Sequence, residues 1–214
     1  EGTTANALLV TDGRCVGLRI RRDDDRSEIL AGATVLATGG AAGLWERTTN
    51  PPGSVGVGLA LAHAAGADLA DLEFTQFHPT ALVGDGADDG FLVTEAVRGE
   101  GAKLLDADGE RFVDELAPRD EVALAIEAEL LRSGERAVAL DLRPVDMGRF
   151  PNIPEVLTRN GIDPRRDVVP VAPAAHYTMG GVATDLDGRA SLPSLYAVGE
   201  CACTGLHGAN RLAS

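Results

Sequence analysis

From residue 33 the chain reads ATVLATGG, an apolar run without a charged position that stops on Gly39 and Gly40. A strand covered on both faces has this pattern, and the glycine pair predicts a tight strand-to-helix turn. Ahead of it RCVGLRI reads as another strand, and the charge-dense RRDDDRSE between the two predicts a solvated hairpin loop. The stretch GSVGVGLALAHAAGADL (53–69) is built of small residues with no proline, which predicts a helix. Its glycines cost helix stability, so close approach to a neighbour is the expected reason for them.

From about Leu72 the texture changes. DLEFTQFHPTAL predicts an extended segment, GDGADDG a loop, and AKLLDADGERFVDE a hairpin turning on Asp108-Gly109. APRDEVALAIEAELLRSGE predicts a helix opened near Pro118 and closed at Gly134, and FPNIPEVLTRNGIDP a shorter one stopped by Asn160-Gly161. A second extended segment, DVVPVAPAAHYTMGGVAT, leads to a hairpin at Asp187-Gly188 and the strand SLYAVGE. TGLHGANRLAS (204–214) reads as the first turn of a helix cut short. Together these predict an α+β module, about 72–175, inserted into an α/β domain represented by 1–71 and 176–214.

Composition narrows the class. The chain has 214 residues, 44% hydrophobic and 24% charged, as a globular protein with a real core would. A net charge of −14 with no basic run argues against nucleic acid or an anionic membrane surface as partner. The longest apolar stretches, such as Val55–Ala67, fall short of a bilayer span, and nothing resembles a secretory or transit segment. Cys15, Cys201 and Cys203 give no paired framework and no zinc set, so buried thiols in a reducing compartment, the cytoplasm, are expected, with no metal site.

The candidate chemistry is scattered. The dinucleotide fingerprint G-x-G-x-x-G is missing, and GSVGVG reverses its spacing. The turn at Gly39-Gly40 could bring backbone N–H groups close to a cofactor, and Glu200 at a strand end could hold a ribose hydroxyl. An ordinary tight turn and a solvent-facing glutamate are the alternatives. His78 precedes Pro79, which keeps it extended. Arg119 lies in the first turn of its helix, where a cation opposes the dipole by roughly 0.3–1 kcal/mol, so either a partner holds it or it is solvated beside Asp120. His176 sits in an apolar, proline-fixed stretch, and Arg211 in a glycine-broken one near His207. Arginine binds carboxylate by a two-bond fork, so two arginines and three histidines suit a dicarboxylate site; structural histidines are the alternative.

QFHPTAL, TEAVRGEGAKLLDADGERFVDELAPRD, PVAPAAHYTMGGVATDLDGRASLPSLYAVGE and TGLHGANRLAS together resemble the flavoprotein family of succinate dehydrogenase and fumarate reductase, across essentially the whole chain. EAVRGEGA, APAAHYTMGG and LHGANRLAS are most similar to the branch of that family that oxidises L-aspartate to iminoaspartate. The resemblance implies part of an α/β FAD-binding domain (1–74 and 177–214) with an inserted α+β capping domain (75–176). It implies non-covalent FAD as cofactor, with Gly39, Gly40, Glu200, Asn210 and Ser214 meeting it. His78, Thr94, Glu95, His176 and Arg211 are implied to bind substrate, and Arg119, His78 and Glu95 to serve catalysis. L-aspartate, with oxygen or fumarate, and quinolinate synthase on the route to NAD are the implied partners. The family's glycine fingerprint and C-terminal helical domain have no counterpart in these residues, so the chain alone is expected to be inactive. A respiratory member of the family and a non-catalytic capping-type module are the competing readings.

Overall fold

The computed structural model describes residues 2–84 and 86–211. Strands β1 (Thr3–Thr11), β2 (Arg14–Arg22) and β3 (Asp25–Leu30) form an antiparallel meander in that order. β2 alternates, with Cys15 and Gly17 buried, whereas every residue of β3 is exposed. The charged stretch expected as a loop is therefore mostly strand, shared between the end of β2 and the edge strand β3. Its turn is confined to Asp23-Asp24, where Asp23 takes a φ of 53°, a conformation aspartate tolerates. Arg19 faces Glu28 directly across the pair at 2.9 Å, which gives the exposed strand a reason to stay in register.

ATVLATGG does not pair with RCVGLRI. Its strand, β4 (Thr34–Leu36), pairs in parallel with Leu195–Ala197 instead. Helix α1 spans only Val57–Ala64, shorter than the predicted 53–69, because Gly53 and Gly56 before it and Gly66 after it all take positive φ. The close approach expected of its glycines is real: a Cβ on Gly58 would lie 1.9 Å from the Thr38 hydroxyl oxygen. A two-residue strand, β5 (Leu69–Ala70), follows.

The chain divides into two units, one of Glu1–Leu44, Pro51–Gln76 and Tyr177–Ser214, the other of Trp45–Asn50 and Phe77–His176. Strand β6 (Thr75–Leu82) leads from the first into the second. There α2 (Ala96–Gly99), β7 (Lys103–Leu105), α3 (Arg119–Ser133), β8 (Val138–Asp141), α4 (Asn152–Arg159) and β9 (Val169–Thr178) complete an α+β body with sheet order β6-β9-β8-β7. Leu104, Val122, Ile126, Leu140, Leu157 and Val171 make its fully buried core. α3 runs from Pro118 to a left-handed Gly134, as predicted, and α4 buries Ile153, Val156 and Leu157 at helical spacing. The Asp108-Gly109 turn forms, but among the described residues its second arm makes a single isolated bridge, between Leu105 and Arg111. The Leu104 N–H donates to the Glu115 carboxylate at 3.0 Å, and β7 takes β8 as its strand partner.

β9 returns the chain to the first unit, where β10 (Gly181–Ala183), β11 (Leu195–Ala197) and β12 (Ala202–Cys203) follow. β12, β10 and β5 form one small sheet, and β11 lies beside β4. Leu59, Ala62, Val182, Leu195 and Cys201 are among the core residues here, and all three cysteines are buried free thiols. Residues 204–211 form turns, not the predicted helix start, since Gly205 and Gly208 both take positive φ. Among the described residues no helix is long and apolar enough to cross a membrane, and no group of residues could hold a metal ion.

Candidate functional site

The predicted site residues fall into two sets, one on each unit. In the second unit, β6 carries His78 and β9 carries His176, with ring centroids 5.3 Å apart. The Thr80 N–H donates to His78 Nδ1 at 3.2 Å, so in the neutral ring the proton resides on Nε2. His78 is almost fully buried. The hydroxyl of Thr49 lies 2.7 Å from His176 Nδ1, and the Asn50 amide donates to the His176 carbonyl at 2.7 Å.

Arg119 has the partner its position called for. Its Nε donates to Glu95 Oε2 at 2.8 Å, and the same oxygen lies 3.7 Å from the buried Arg98. The Arg119 guanidinium bonded to Glu95 holds its carboxyl below the usual range, against the opposing effect of partial burial. Arg98 itself donates to the Glu115 carbonyl, and burial pulls its pKa down. Sequence reasoning passed over Arg98; the available signal was an arginine three residues after Glu95 in the apolar turn AVRG. Thr94, half-buried, uses its hydroxyl to accept the Ala96 N–H at 3.4 Å.

In the first unit the parallel strands β4 and β11 run out together into Gly39-Gly40 and Gly199-Glu200. Ligands of α/β sheets bind at such carboxyl ends. Gly39 and Gly199 take φ of 72° and 71°, with nothing within 4 Å of where a side chain would begin. Gly40 is different: a Cβ there would sit 2.2 Å from Glu200 Oε1. That oxygen accepts the Thr178 N–H at 2.8 Å, while the Thr178 hydroxyl accepts the Ala41 N–H at 3.0 Å. Glu200 is thus half-buried and bound, not the solvent-facing alternative. Burial pushes its pKa up, with the Thr178 N–H and Arg211 pulling the other way.

Arg211 stacks over the Tyr177 ring at 4.0 Å, and its Nε lies 3.4 Å from Gln76 Oε1. Gln76 in turn donates to Asn210 Oδ1 at 3.2 Å and to the Arg211 carbonyl. His207 meets Tyr177 edge-on at 5.4 Å. Beside them lies a recess of about 220 Å³ lined by Asp71, Tyr177, Met179, Cys203 and Leu206 among others. Gln76 and Thr178 were missed from sequence because they work through residues more than a hundred positions away or through the backbone, and Tyr177 because its ring meets His207 and Arg211 only once the chain has folded. Ser214 lies outside the described residues.

Comparison with known proteins places these observations. The family described as FAD binding domain matches residues 1–214. An L-aspartate oxidase of Nostoc sp. is 53% identical over 216 residues, covering 94% of this chain and 37% of that protein. One from Agrobacterium fabrum is 52% identical over 223 residues, covering 100% of this chain and 42% of that protein. Among solved structures, E. coli quinol fumarate reductase FrdA superposes with a TM-score of 0.88 at 36% identity, over 98% of this chain and 40% of that one. The chain therefore spans about two fifths of the length of the relatives it matches.

Proposed function

The chain belongs to the FAD binding domain family, and from that premise we propose that its protein oxidises L-aspartate to iminoaspartate, with oxygen or fumarate as electron acceptor. Identity of about half to L-aspartate oxidases along this whole chain, against 36% to a fumarate reductase, carries the reading. We further propose that the unit containing Gly39 and Glu200 is part of the FAD-binding domain and the unit containing Arg119 the capping domain.

The residues present fit the cofactor. Two glycines with open space above them cap a pair of parallel strands, where backbone N–H groups can approach a ligand. Gly39, Gly40, Glu200 and Asn210 would hold FAD non-covalently, with Ser214 as a further contact; bound, it supplies the hydride acceptor. His176 and Arg211 bind carboxylate oxygens, and Thr94 and His78 contribute further hydrogen bonds. With Nδ1 occupied by the Thr80 N–H, neutral His78 presents an Nε2–H donor toward substrate. Arg119 acts by charge and orientation, since a guanidinium resists deprotonation, and Glu95 fixes its direction. Holding the substrate in one pose accounts for a large share of such a rate.

We place the reaction in the cytoplasm, at the first step of NAD synthesis through quinolinate. An imine hydrolyses readily in water, which supports quinolinate synthase as a partner that takes the product at once. The test is to supply the purified holoprotein with L-aspartate and oxygen and measure hydrogen peroxide. Peroxide formation is the expected result. Dye-linked succinate oxidation without aspartate turnover would move the protein to the respiratory branch, and a purified protein that retains no flavin and turns over neither substrate would favour a non-catalytic module.

A further inference from the structure

The segment 47–50 is laid against the end of β9 by a dense set of bonds. The Ala175 N–H donates to the Arg47 carbonyl, and the Thr49 N–H and Thr48 hydroxyl both donate to the Ala175 carbonyl, all at 3.0 Å. The Asn50 amide donates to the His176 carbonyl at 2.7 Å. Main chain is thus fixed on both sides of Thr49, and its hydroxyl meets His176 Nδ1 at 2.7 Å with little freedom to leave.

We propose that Thr49 is a positioning residue: its hydroxyl donates to His176 Nδ1 and so keeps the ring's proton on Nε2. A neutral histidine can donate to a carboxylate only through the nitrogen that carries its proton, and that nitrogen is chosen by the bond the other one makes. The neighbouring ring is set the same way, since the Thr80 N–H donates to His78 Nδ1. Two imidazoles 5.3 Å apart thereby become matched Nε2–H donors, and His176 is near enough to Glu95 to act on its charge. A threonine hydroxyl can also turn to accept, so the same contact survives if His176 takes up a proton.

The proposal rests on the reading of His176 as a substrate ligand, so its test separates the two. In FAD-loaded protein labelled with ¹⁵N-histidine, NMR should show His176 with Nδ1 unprotonated and Nε2 protonated. Thr49→Val keeps the shape and removes the hydroxyl; it should give a mixed tautomer and a KM for L-aspartate raised about tenfold with kcat little changed. Thr49→Ser should restore both. A protonated Nδ1 in the neutral wild-type ring, an unchanged tautomer in Thr49→Val, or failure of Thr49→Ser to restore it would overturn the proposal. An unchanged KM in His176→Ala would instead overturn the reading of His176 as ligand, and the ¹⁵N pattern would still decide what Thr49 does to the ring.

Discussion

Glu95 and Glu200 show how neighbours set opposite fates for one residue type. Glu95 is bonded to Arg119 and near Arg98, and its carboxyl titrates below the ordinary range. A depressed folded pKa means stability that is present above the ordinary value and lost as pH falls through the lowered one. Glu95→Gln should therefore be less stable than wild type at pH 7, with the gap narrowing on acidification below about pH 4. Urea unfolding at several pH values measures this, and a gap independent of pH would refute it. Glu200 is raised by burial, so the sign reverses: its folded state keeps the proton longer than the unfolded chain does. Stability from this group is present below the ordinary value and lost as pH rises through the raised one. Glu200→Gln keeps the acceptor for Thr178 without the charge, so it should gain on wild type as pH rises from about 4. Equal pH slopes for the two proteins would count against a buried carboxylate there.

Elements were legible where the local pattern was strong. Helix α3 lies between its proline and glycine as read, and the small residues of α1 do serve close packing, with Gly58 against Thr38. Gly58→Ala would place a carbon 1.9 Å from the Thr38 hydroxyl oxygen and 2.8 Å from its Cβ. Overpacking of this kind costs about 1–3 kcal/mol. Thr38→Ala should recover only part of it, because the Cβ stays, and a double-mutant cycle should report coupling between the two sites. Additive effects would refute the contact. What could not be read was pairing. RCVGLRI and ATVLATGG look like neighbours in sequence, yet β4 takes a partner about 160 residues away, Leu195–Ala197. The exposed strand β3 looked like a loop because an edge with both faces wet leaves no hydrophobic alternation to detect. The predicted start of a helix at 204 fails for a local reason, two glycines in left-handed geometry.

Across the whole molecule, the two units carry different kinds of candidate chemistry, and this can be separated by experiment. His78, Thr94, Glu95, Arg119 and His176 belong to one unit, whereas Gly39, Gly40 and Glu200 belong to the other. The resemblance in sequence named these residues; it did not name Thr49, Gln76, Thr178 or Tyr177, whose roles arise only from contacts that folding creates. In the proposed flavoprotein, substitutions in the first group should spare cofactor and lose substrate. His176→Ala and Glu95→Gln should keep full flavin absorbance after gel filtration while KM for L-aspartate rises. Gly40→Val should do the reverse, because its side chain begins 2.2 Å from Glu200 Oε1 and must displace the carboxylate that caps the strand ends. Arg211 lies in the same unit as Gly39 and Glu200, whereas its proposed role is to bind substrate, which makes it the discriminating case. Losing a charge-assisted bond of roughly 1.5–3 kcal/mol, Arg211→Leu should weaken L-aspartate binding by tenfold or more and leave flavin content intact. Flavin lost from Arg211→Leu as from Gly40→Val would show that the stack on Tyr177 serves the cofactor and not the substrate.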